Sequence, residues 1–489
     1  MTAVFATGTS PLASIAVTPR VAVPTAPPQA SAPPPSTVLQ LNRAETAAAV
    51  YDRPVGLQEA MSSTRSWATA PDDAISTLMQ RNTVVGSDSL SSRWRGVGGA
   101  LLTRMAQQHG DYSQTLVLHT GGVQAADALN SARDNAVKVQ LRIQTRSGTQ
   151  VELSIAVNRG ANGVLGGLQV EMRASGPLSE AERQALGALA GGFDQALQGL
   201  GRADAPRLDL SGLMDYDSRQ LSGLSLTVRS PDAADPLAAF NLELNEKEKS
   251  VRLQGSAGNL ALRLDSATPL GQAGAAQRQD SILQYLAQFD AAAQRGHVAT
   301  ELIEQFKQAF AQLHGEPSLG QVASEPETTS AARNQAAPLL SGLADFEASF
   351  DGEFTRNNKN GYLAELGQAR YEVSQQTRVQ RNGGPGDLTV TQSQSAALQA
   401  RYLRALGEAE LDLQGGNYHL DEIRDQSQRT TSVATADSRL VRAVTENDEQ
   451  QLRIYSKMLK HQVAETRQTP EHRHTSEDLL RHGLAPARS

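Results

Sequence analysis

Carboxylates two residues apart recur in this chain: Asp215 with Asp217, Asp345 with Glu347, and Asp351 with Glu353. On a β-strand residues i and i+2 share a face, so each pair could converge on one proton or one hard cation. Tyr216 and Phe346 stand inside the first two pairs. Burial of those rings would turn the flanking acids to water, and repeated acids mostly mark solvent faces. Asp351 and Glu353 are the best candidates for carboxylate-based hydrolysis. A glycosidase, however, needs two carboxylates across a sugar and usually aromatic platforms, and only Phe350 and Phe354 stand nearby. His472, His474 and His482 crowd the C-terminus, where a His-x-His pair on a strand can hold a metal. They flank or follow charged residues beyond Pro470 without a third ordered ligand, which supports weak adventitious binding at most. His109, His119, His297, His314, His419 and His461 are scattered singly.

Other chemistries are excluded outright. The chain has no cysteine, which removes disulfides, thiolate nucleophiles and cysteine-based metal sites. No G-x-S-x-G, H-E-x-x-H, G-x-x-x-x-G-K-[ST], S-x-x-K set or EF-hand loop occurs. GANGVLGG at 160–167 mimics a phosphate loop, but it joins two expected strands and lacks the helix N-terminus that would hold a phosphate. Gly96, Gly98 and Gly99 lie within a helical pattern and are followed by Leu101 and Leu102, so they read as close helix packing. No catalytic, cofactor-binding or metal-ligating residue is assigned, and no cofactor is expected.

The elements that would carry any site follow from length and pattern. At 489 residues the chain has room for about three domains. Its 45 Lys and Arg against 52 Asp and Glu give a net charge of −7, which argues against general nucleic-acid or anionic-membrane binding. Aromatic residues make up 4%, so cores must be built from Leu, Val, Ala and Ile, and aromatic-lined grooves are disfavoured. Residues 1–48 are Ala/Pro-rich, with APPQASAPPP at 26–35, and read as a disordered arm. No stretch approaches the length of a membrane-spanning helix and no Sec signal is evident, which leaves cytoplasmic residence or export by another route.

A small helical region is expected over 50–132, with Leu90, Trp94, Val97, Leu101 and Met105 forming a seam behind Ser89. Residues 133–204 read as a meander plus helix. Val137, Val139, Leu141 and Ile143 alternate with polar residues, as do Val151, Leu153, Ile155 and Val157. Ser179 and Glu182 form a capping box before a helix carrying Leu186, Leu189, Phe193 and Leu197. The run from Gly176 to Arg183, GPLSEAER, together with the meander before it, resembles uncharacterised proteobacterial proteins with a G-x-L-[SD]-x-x-E turn into a helix. The resemblance covers about 137–200 and implies a fold unit, not an activity.

LSGLMDYD at 210–217 returns as LSGLADFE at 340–347, 130 residues on. This echo predicts two related modules, at 207–316 and 338–465, joined by a linker at 317–337. Leu213 and Leu343, and Tyr216 and Phe346, would hold equivalent sites. Residues 440–463 are ambiguous between helix and strand, although Leu452, Tyr455, Leu459 and Val463 stand at helical spacing, and 466–489 reads as a frayed charged tail. The expected fold class is α+β, with antiparallel meanders packed on helices. The expected function is a non-enzymatic protein-interaction or structural role in a bacterium, with an exported or envelope-associated setting and a protein partner. The alternatives are a carboxylate-based hydrolase and a cytoplasmic adaptor or regulator.

Overall fold

The computed structural model describes residues 63–84, 89–108, 110–160, 164–265, 274–315, 327–384 and 386–481. The arm expected at 1–48, His109, His482 and part of the 160–167 loop lie outside them. The first elements are β1 (Ser63–Trp67), α1 (Ala74–Asn82), α2 (Leu90–Trp94), α3 (Val97–Gln107), β2 (Tyr112–Thr120) and α4 (Ala125–Asn130). Then come β3 (Ala136–Thr145), β4 (Gln150–Asn158), β5 (Val164–Ala174), α5 (Glu180–Ala188), α6 (Ala190–Leu200) and the single turn α7 (Ser211–Met214). The meander β6 (Leu221–Arg229), β7 (Ala239–Asn245), β8 (Glu248–Gly255) and β9 (Gly258–Asp265) leads to α8 (Ala275–Gly296), α9 (Thr300–Gly315) and α10 (Glu327–Ala336). Six longer strands close the order: β10 (Phe346–Asn357), β11 (Leu363–Arg381), β12 (Leu388–Ala405), β13 (Tyr418–Ala436), β14 (Arg439–Leu459) and β15 (Gln462–Asp478).

The fifteen strands among the described residues join one sheet, in the order β1-β2-β5-β4-β3 and then β6 through β15 in sequence. The fold is α+β, dominated by an antiparallel sheet with helices against it. Alternation explains the first half. Val137, Val139, Leu141 and Ile143 of β3 are fully buried while Lys138, Gln140, Arg142 and Gln144 face water. Trp94, Leu101, Phe193 and Leu197 from the helices complete the same core.

Local chemistry sets the helix ends. The seam over 90–105 breaks at Gly96, whose φ of 73° an L side chain rarely adopts. The α3 N-terminus has no cap of its own, and Asp194 of α6 accepts the Gly99 N–H at 2.9 Å. A Cβ on Gly98 would stand 2.8 Å from the Phe193 ring, so glycine permits this close helix contact. Ser179 and Glu182 form the expected capping box. Burial alone would raise the Glu182 carboxyl, but hydrogen bonds from Ser147 and Ser179 hold it at about 2.

The scarce aromatics collect beneath α8 and α9. Phe289 meets Phe306 at 4.9 Å and Phe310 at 5.0 Å, and Tyr285 meets Phe346 at 5.1 Å, in edge-to-face contacts between helices and β10. His314 ends this seam. It donates from Nδ1 to the Phe310 carbonyl at 3.0 Å, and burial lowers its pKa to about 3, so it is neutral at pH 7.

Several expectations are corrected. The region 50–132 is not only helical, since it contains β1 and β2. Leu116, Val117 and Leu118 are all buried because α4 covers the second face of β2 through Ala128, so no alternation marks that strand. The stretch 317–337 holds α10, whose Ala332 and Ala336 are fully buried. Residues 440–463, open between helix and strand in the sequence, form strand, as most of β14 and the start of β15, and the stretch from 466 expected as a frayed tail continues as β15 to Asp478. The two modules do not share a topology. The first echo contains α7 and precedes a four-strand meander with two helices, whereas the second runs directly into β10, the first of six strands. Leu213, Leu343, Tyr216 and Phe346 are nonetheless all buried. Phe346 pairs with Leu264 of β9, so the sheet passes through both segments without a boundary.

Candidate functional site

The carboxylate pairs do not converge on a site. Asp217 is held by Arg219 at 3.0 Å, and Asp215 caps α7. Asp345 accepts the Thr377 N–H at 2.8 Å, whereas Glu347 is exposed on the open face of β10. Asp351 and Glu353 share that open face, where Asp351 accepts from Asn259 at 2.9 Å. Phe350 and Phe354, the only candidate sugar platforms, belong to the opposite, buried face. The pair therefore lacks the arrangement that glycoside hydrolysis needs.

The histidines have separate settings. His472 and His474 stand on β15 rather than on a loose tail, 3.0 and 3.6 Å from the same Asp448 oxygen. Among the described residues no group of three or more His, Asp or Glu is placed to hold a metal. His461 sits in the β14–β15 turn and contacts the Gln414 carbonyl at 3.0 Å. His119 Nδ1 lies 2.9 Å from the Thr120 carbonyl and therefore carries the proton, leaving Nε2 to accept from Ser66 Oγ at 2.8 Å. That is a nucleophile–base contact, but Ser66 and His119 are 8% and 3% exposed, and a backbone carbonyl replaces the orienting carboxylate.

The densest polar constellation is one that sequence reading missed. It lies on the helix-facing side of β11–β14, where the aromatic seam gives way to charge. Asp421 of β13 is fully buried. In register it stands between Tyr402 of β12 and Tyr455 of β14. Diagonal neighbours on the same strands supply its counter-charges, as diagonal cross-strand positions can. Arg404 donates to Oδ2 from Nε at 3.0 Å and Nη2 at 2.7 Å, and Arg453 reaches Oδ1 from Nε at 2.9 Å and Nη2 at 2.7 Å. One carboxylate thus fixes two guanidiniums, each through its Nε/Nη2 edge, and the triad carries one net positive charge.

The surroundings extend this network. His419, two residues from Asp421, contacts the Tyr455 hydroxyl at 2.7 Å. Burial and the charge of Arg404 hold its ring below the usual histidine range. His297, in the left-handed turn between α8 and α9, stacks on Tyr402 at 4.1 Å and pairs with Glu365, which Arg356 approaches at 3.6 Å. Arg295 at the end of α8 pairs with Asp425. The side chains of Arg404 and Arg453 remain 37% and 44% exposed, so the clamp opens to solvent. Only the strand register brings these residues together.

Among the described residues no helix is long and apolar enough to cross a membrane. No protein-family model, no curated protein and no solved structure matches the chain.

Proposed function

We propose that this chain is a non-enzymatic protein-interaction protein whose recognition surface is the outer part of the sheet, β13–β15. One observation carries the reading: every residue of β15 from Gln462 to Glu477 is exposed, although the strand is held in register on β14 along its whole length. Sheets normally bury at least one face against another layer. An ordered strand with two wet faces and a free edge presents backbone and side chains for a partner. The strand is polar and carries Pro470, features that guard an edge against indiscriminate pairing. The clamped arginines lie next to it on the same sheet. The carboxylate pairs are dispersed, which favours recognition over hydrolysis.

The test is site-specific photo-crosslinking in the native cell, with the photoreactive residue at Gln468 of β15 or at Arg142 on the open face of β3. A discrete adduct is expected from the β15 position and none from β3. Adducts absent from β15, or equal from both, would refute the assignment, as would hydrolysis of generic substrates that disappears in the Asp351→Ala/Glu353→Ala variant.

A further inference from the structure

We propose that the Arg404–Asp421–Arg453 clamp binds a carboxylate-rich segment of a protein partner. This rests on the reading of the outer sheet as the recognition surface and names the chemistry of what docks there. A guanidinium has five N–H donors in a fixed fork. In both arginines the Nε and one Nη2 hydrogen are spent on Asp421, and no other partner is found for either among the described residues. The Nη1/Nη2 edges are left to meet a second carboxylate in bidentate geometry. Asp421 has already restrained the two long side chains, so less rotamer freedom is lost on binding than for free surface arginines.

Charge complementarity selects the occupant. In the three register rows around the clamp, Arg404, Arg453, Lys457 and Arg467 of β12–β15 stand against Asp421 and Glu465, with Glu365 of β11 opposite Arg404, a surplus of one cation in a chain whose net charge is −7. The patch is small and bounded by Asp425 and Glu471 farther along the strands. That suits a few carboxylates and disfavours a continuous phosphate backbone, which needs an extended cationic track. Base stacking has little platform either, since Tyr402 is 3% exposed and already stacked on His297, and the half-buried Tyr455 ring packs against the His419 ring at 5.4 Å.

The experiment is calorimetric titration of the full chain with a deca-glutamate peptide, alongside inorganic phosphate and an oligothymidine of equal length. The peptide is expected to bind, more weakly as salt is raised, and more tightly than either phosphate probe. Arg404→Lys keeps the charge but loses the fork and is expected to weaken binding about tenfold. Asp421→Asn adds net positive charge while releasing the clamp. Weaker binding by this variant, with the melting transition still cooperative, supports a preorganised site, and unchanged or tighter binding overturns it. Oligothymidine or phosphate binding better than the peptide overturns the choice of ligand. Crosslinking from β15 that survives Arg404→Gln/Arg453→Gln would leave the recognition surface standing and remove this inference alone. Loss of all β15 adducts in the native chain would remove both.

Discussion

Strands β4 and β14 belong to the same sheet and are stabilised by different physics. In β4, Val151, Leu153, Ile155 and Val157 are 0–1% exposed against the helix layer, and polar residues take most of the opposite face. In β14, Leu452, Ile454 and Tyr455 are only half-buried and fall on both faces, while Arg453 serves a buried carboxylate. The first arrangement rests on apolar burial, worth roughly 1.5–3 kcal/mol for each large side chain. The second rests on cross-strand polar pairs worth about 0.2–1 kcal/mol each. The same hydrogen-bonded ladder can therefore be a rigid scaffold at one end and an adaptable surface at the other.

Substitutions should separate the two regimes, beginning with the largest effect. Phe289→Ala beneath the helices should cost about 3–5 kcal/mol in denaturant unfolding, whereas Val463→Ala on β15 should cost less than about 0.5 kcal/mol. Equal costs would remove the contrast. Acid should act next, and on the covered half. The folded-state pKa of His314, about 3, lies below its ordinary 6.5, so its contribution is complete above pH 6.5 and is lost as pH falls toward 3. Glu182, held at about 2 against 4.5, adds a second loss as pH falls from 4.5 toward 2. Unfolding free energy should thus be level above pH 6.5 and fall by up to about 1.4 kcal/mol per pH unit between 6 and 4. His314→Gln should flatten that window, and an unchanged slope would assign it elsewhere.

Asp421→Ala leaves two half-exposed guanidiniums without their carboxylate and should cost about 2 kcal/mol, less than a wholly buried pair because water reaches both arginines. Pro470→Val should alter stability by less than about 0.5 kcal/mol yet raise self-association in sedimentation, because it restores an N–H that proline lacks on the outermost strand. A strictly monomeric variant would show that proline is not what guards the edge.

The part of the fold legible in the sequence is the part that buries one face. Val137 to Ile143 announce β3 because each second residue must avoid water, and Ser179 with Glu182 announces a helix start by its own hydrogen bonds. β14 and β15 have no such signature. β15 is wet on both faces and β14 is only half-buried on both around Leu452–Tyr455, so period two disappears, and Leu452, Tyr455 and Leu459 of β14 fall by chance into helical spacing. The candidate site was hidden for another reason. Arg404, Asp421 and Arg453 stand 17 and 32 residues apart and meet only through the registers of β12–β13 and β13–β14. A charged residue recurring on the inward parity of consecutive strands was the available sign, and it has meaning only once the strands are aligned.

Amide hydrogen exchange of the free protein tests most directly whether one sheet holds two regimes. The central amides of β3 and β4 should exchange only through global unfolding, and those of β14 and β15 through local opening, orders of magnitude faster. Protection uniform from β3 to β15 would contradict the division into scaffold and recognition surface.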